Sequence, residues 1–92
     1  MKPCLAALHQ AGIQRARFSG LVQSIDKRRG HVGLRCIQTP IGELDHAWIS
    51  YFQRGSWIPH AGDRVEFTAR IEEYMHTDGT PDIGLFAVKV IE

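Results

Sequence analysis

The strongest constraint on the fold is the alternation in "RVEFTARIE". Val65, Phe67, Ala69 and Ile71 take every second position, and Glu66, Thr68, Arg70 and Glu72 fill the places between. A period of two puts the first set on one side of a pleated strand and the second on the other, so the segment predicts a strand with one face in a core and one in water. Four further runs have the same character: "RFSGLVQSI", "HVGLRCI", "ELDHAWI" and "LFAVKVI". They are rich in β-branched and aromatic residues and are separated by clusters of Gly, Pro and Asp. No connection between them offers a helical spacer longer than a turn or two, which excludes a parallel α/β sheet. The pattern predicts an all-β chain of five antiparallel strands in one compact barrel or sandwich.

Faces can be assigned along most runs. In the first, Phe18, Gly20 and Val22 share a side, Ile25 falls off the register, and Gly20 is expected to supply a bend or bulge. In the second, Val32, Leu34 and Cys36 are expected inside, with His31, Gly33 and Arg35 outside. In the fifth, Phe86, Val88 and Val90 alternate with Lys89. The third run admits two registers: one turns Trp48 outward with His46, the other buries it as core. Ahead of the strands, "CLAALHQAGIQ" places Cys4, Leu5, Leu8 and Ala11 at helical spacing, with Pro3 suited to a first turn and Gly12 to a stop. Residues 1–15 are therefore expected to form a short N-terminal helix or a flexible arm, and residues 16–92 the barrel domain.

Charge is unevenly spread. The formal net charge is +1, yet residues 1–42 carry seven basic side chains against the single acid Asp26, and residues 43–92 carry four basic against nine acidic. Such a bipolar surface bears on partners more than on fold. The two cysteines, Cys4 and Cys36, match neither a disulfide framework nor a paired metal motif, and read as reduced thiols of a cytoplasmic protein. The run "PCLAAL" is too short for the core of a signal peptide, and no stretch approaches the roughly 20 apolar residues of a membrane helix. Five histidines (His9, His31, His46, His60, His76) show no ligand-pair spacing, so no metal or other cofactor is expected. Neither a strained nucleophile turn nor a Gly-rich phosphate loop is present, and the chain is not expected to be an enzyme.

The five-strand order, with the longest connection between the third and fourth, resembles the oligonucleotide/oligosaccharide-binding (OB) fold over residues 16–91. "FSGLVQSID", as a long bent first strand, and "AGDRVEFTARI", as a turn into a core strand, carry most of the likeness. "GLVQSIDKRRGHVG" is also similar to a cold-shock domain, although the second strand here has no stacking aromatic. The resemblance implies binding on the face of strands two and three, flanked by the loops joining strands one to two and four to five.

On that face the residue types suit single-stranded DNA or RNA. Such binding needs cations along the phosphate path and flat groups on which bases stack. Lys27, Arg28, Arg29 and Arg35 supply the first, with Arg17 and Arg54 as extensions. Trp48, beside His31 and His46, supplies the second if it faces outward. Equally, the basic cluster reads as a solvated hairpin tip, and Tyr51, Phe52 and Trp57 read as a plug for the barrel. Glu66, Glu72 and Glu73 read as a solvated face or a protein-docking patch. The alternative to nucleic-acid binding is therefore a protein-interaction module of a larger complex, or a homo-oligomer, built on the same barrel.

Overall fold

The computed structural model describes residues 3–50 and 60–91. Tyr51, Phe52, Arg54 and Trp57 lie outside the described residues. A helix, α1 (Pro3–Gln10), precedes five strands: β1 (Arg15–Asp26), β2 (His31–Thr39), β3 (Gly42–Ser50), β4 (Arg64–Met75) and β5 (Pro81–Ile91). All pairings are antiparallel, in the order β3-β2-β1-β4-β5. Among the described residues the outer strands β3 and β5 come into contact without pairing, so the sheet curls toward a barrel and stays open along that seam.

The long first strand makes the curl. Its first half pairs with β4 from Arg15 to Leu21, and its second half pairs with β2 from Ser19 to Asp26. Glycine eases the packing at the crossover: a Cβ on Gly20 would stand 3.2 Å from Ile37 Cγ1, close enough that the isoleucine would have to give by a few tenths of an ångström. One extra residue, Gln23, interrupts the β1–β2 register between Val22 and Ser24. That bulge returns Ile25, which simple alternation leaves off the register, to the side that packs against the core.

The core holds Phe18, Val22, Val32, Leu34, Ile37, Leu44, Ala47, Ile49, Val65, Phe67, Ala69, Ile71, Ile83 and Leu85 from the sheet, with Leu5 and Leu8 from α1. At its centre Phe18 and Phe67 stack with ring centroids 5.5 Å apart. The inner set of β4 is buried as its alternation predicts.

The N-terminal segment is a helix because Leu5 and Leu8 share a face that the open sheet leaves room for. It packs against β3, β4 and β5. Its end is closed by the Gly12 N–H on the His9 carbonyl and the Ile13 N–H on the Leu8 carbonyl, with Gly12 at φ +79°, the left-handed conformation glycine adopts without strain. Ala11, expected on the buried face, is exposed because the helix has already ended at Gln10.

Two assignments fail at bulges. Cys36 was expected inside β2 but is exposed: it sits at φ +49° as an extra residue opposite β1, and Ile37 takes the inward place. Phe86 was expected inside β5 but is 37 % exposed. Ala87, also at φ +49°, is the extra residue opposite Thr68 and Arg70, so Ile83 and Leu85 point inward before it and Val88 and Val90 after it. The Arg15 guanidinium holds this second bulge, donating to the Ala87 carbonyl at 2.9 Å and to Thr68 Oγ1 at 2.9 Å.

Candidate functional site

Register decides what the outer surface of β2 and β3 displays. Across the β2–β3 pair, His31 faces Ser50, Gly33 faces Trp48, and Arg35 faces His46. From the β1 side, Asp26 adjoins His31, Ser24 adjoins Gly33, and Leu21 adjoins Arg35. These residues form a patch three strands wide, with Trp48 in its middle row.

Of the two registers open for the third strand, the structure takes the one that buries Ala47 and Ile49 and turns His46 and Trp48 outward. The alternation does not run the whole strand. Leu44 is buried and Asp45 exposed, because the break falls beside the Cys36 bulge of the neighbouring strand, where no pairing joins Cys36 to Asp45.

Trp48 is 49 % exposed, and its seat is Gly33. A Cβ built on Gly33 would stand 3.2 Å from both Cη2 and Cζ3 of the indole and 2.7 Å from Ser24 Oγ. The six-membered ring thus packs over a backbone position with no side chain in the way, so Gly33 is buried while about half of Trp48 stays exposed. His46 meets the indole edge-on, with centroids 5.8 Å apart and planes at 83°. The platform is fixed from below and from the side before any ligand arrives.

The cations bracket this platform along β2. Arg35 lies two residues to one side of Gly33, about 7 Å at the rise of a strand, and the turn over residues 27–30 lies three or more residues to the other. Lys27, Arg28, Arg29 and Arg35 are all exposed. Among the described residues Lys27, Arg28 and Arg35 have no ion-pair partner. Arg29 differs: its backbone N–H donates to Asp26 Oδ1 at 3.3 Å and its Nε stands 3.9 Å from Asp26 Oδ2, so Asp26 shapes the turn and offsets part of its charge. Gly30, at φ +67°, completes the turn.

Other charges are paired elsewhere. Arg17, considered as an extension of the cationic path, instead pairs with Glu66 on β4. Glu72 pairs with Arg70, and Glu73 with His9 of α1 at 3.3 Å. Glu66 and Glu72 are thus each offset by an arginine, and Glu73 has the His9 imidazole beside it. Among the described residues no three His, Cys, Asp or Glu side chains gather as a metal ion would require.

A second aromatic group, not picked out from the sequence, lies where β4 meets β5. The Tyr74 ring crosses Gly84 as Trp48 crosses Gly33: a Cβ on Gly84 would stand 2.9 Å from Tyr74 Cε1 and 3.3 Å from Phe86 Cε2. Tyr74 and Phe86 meet edge-to-face at 5.7 Å. The Tyr74 hydroxyl donates to Asp82 Oδ2 at 3.3 Å, and His76 Nε2 lies 2.9 Å from the same oxygen. Burial first, then the Asp82 charge and hydrogen bond, push the Tyr74 phenol above its ordinary range, so it stays a neutral donor through neutral pH. In the adjoining turn the Thr80 N–H donates to Asp78 and holds that carboxyl below its usual range. The outward side of Tyr74 follows from the same period that places Glu72 outward, but the bulge that brings Phe86 beside it leaves no signal in composition.

Comparison with protein-family models, with curated proteins and with solved structures finds no match for this chain. The reading of its surface therefore rests on its own geometry. No helix among the described residues is long and apolar enough to cross a membrane.

Proposed function

We propose that the chain is an OB-like module that binds single-stranded DNA or RNA on the outer face of β2 and β3. One observation carries the reading: Trp48 packs over Gly33 and is still half exposed, in register between Arg35 and a β1–β2 turn whose Lys27 and Arg28, like Arg35, have no ion-pair partner among the described residues. Bases stack on such a ring at about 1–3 kcal/mol each, and the phosphates reach the cations on either side. His31 and His46 border the path with ring nitrogens able to donate to phosphate or base. The strand order, with β3 brought round toward β5, supports the OB-like reading. Binding of this kind needs no reaction and no resident cofactor, and the two free thiols suit the cytoplasm.

The test is the salt dependence of oligonucleotide binding. For single strands the slope of log affinity against log salt is about 0.7 per neutralised phosphate, so replacing Lys27 and Arg28 by Ala should flatten it by roughly 1.4 if both engage phosphate. Adding Arg29→Ala should change it less, because Asp26 already offsets that charge. Tight binding with an unaltered slope would contradict the assignment.

The outer strands favour a second reading. Among the described residues β3 and β5 each have a hydrogen-bonded neighbour on one side only, and such an edge can receive a strand from a protein partner or a second copy. That reading predicts an assembly larger than one chain in sizing experiments, and no response of Trp48 to oligonucleotide.

A further inference from the structure

The open seam between β3 and β5 holds a groove of about 460 Å³, with Trp48 on the β3 wall, Tyr74 and Phe86 on the β5 side, and His31 and Lys89 also lining it. Its surface is mostly apolar, and Trp48 faces both this groove and the β2–β3 patch. We infer that the groove is a subsite for one nucleobase of the same bound strand, whose backbone continues from the β2–β3 face across Trp48. The inference rests on the proposed nucleic-acid function and adds a position and a ligand part to it.

Three features select this occupant. The walls are aromatic and are held from behind: Tyr74 is seated over Gly84 and hydrogen-bonded through its hydroxyl to Asp82, and Phe86 packs edge-to-face on Tyr74. A flat base gains stacking from such walls with little reorganisation on their side. Charge is complementary, because Lys89 is exposed and has no ion-pair partner among the described residues, leaving its ammonium for a phosphate. The Ala87 bulge turns Phe86 outward toward the groove, where an unbroken alternation would bury it.

The experiment measures binding of a fluorescently labelled oligothymidylate of about ten nucleotides, within the span one such domain covers, to the full chain over a series of salt concentrations. Phe86→Ala removes one wall at a partly exposed position, so the sheet should stay folded. It is expected to weaken binding at least about five-fold at every salt concentration and to leave the slope unchanged, because no charge is lost. Phe86→Trp should restore the affinity. If Phe86→Ala binds as the unaltered protein does while Lys27→Ala with Arg28→Ala still flattens the slope, the groove assignment falls and the β2–β3 reading stands. If the unaltered protein binds no oligonucleotide, both fall. Amide shifts of Phe86 and Tyr74 that follow protein concentration and not added oligonucleotide would assign the groove to a second copy, overturning the inference.

Discussion

Two glycines do more for the surface than their composition conveys. Gly33 and Gly84 have ordinary strand conformations, and their value is the missing side chain: each leaves a bare backbone on which an aromatic ring can lie. Alternation along β2 places Gly33 on the outer face, where it sits. Its contact with Trp48 depends on cross-strand register, which the identity of neither residue reveals. The exposure of Trp48 was equally undecided from sequence, since one residue of slip exchanges its face for that of Ala47 and Ile49. Gly33→Ala tests the seat. The new methyl would meet Ser24 Oγ at 2.7 Å and the indole at 3.2 Å, so the serine side chain must move and the ring must give by a few tenths of an ångström. We expect unfolding free energy to drop by about 1–2 kcal/mol, in the range of overpacking changes, and oligonucleotide affinity to drop while the salt slope holds. Equal affinity in the variant would mean that the ring is not the stacking platform.

At the level of elements, strands were legible and bulges were not. The alternation of β4 gives its faces residue by residue, and the helical spacing of Leu5 and Leu8, followed by Gly12, gives α1. Cys36, Phe86 and Ile25 were placed by an unbroken period of two, and each lies at, or within two residues of, an inserted residue that shifts the phase. Nothing about Cys36 or Ala87 advertises φ +49°, a conformation in which most side chains are strained. What makes the conformation tolerable at Ala87 is a distant partner, the Arg15 guanidinium on its carbonyl, and no local pattern announces a bond spanning so much sequence. Ala87→Val adds a β-branched side chain at this left-handed position and should lower the unfolding free energy by at least about 1 kcal/mol, read as a lowered melting temperature. Ala87→Gly should leave stability equal or raise it. If Val were tolerated as well as Gly, the bulge would not have the backbone described here.

For the whole molecule, the curl of the sheet and the segregation of charge are what the proposed function draws on. The long β1 pairs with both β2 and β4, which turns the β2–β3 face and the β4–β5 aromatic group toward a shared seam. Basic residues dominate the first half of the sequence, and the structure narrows that imbalance: Arg15, Arg17 and Arg70 are occupied by partners on or beside β4, while Lys27, Arg28 and Arg35 have no ion-pair partner among the described residues. The bipolar charge was visible in the sequence, but which cations were free was not, because pairing depends on side chains brought together across strands. In the proposed function these cations and this ring act as one surface. The most direct measurement is an NMR titration of the full chain with a short single-stranded oligonucleotide, following backbone amides and the Trp48 indole N–H. Arg35, His46 and Trp48 are predicted to shift together and to saturate with a single affinity. Shifts confined to Lys27, Arg28 and Arg29, with the Trp48 indole unmoved, would contradict it.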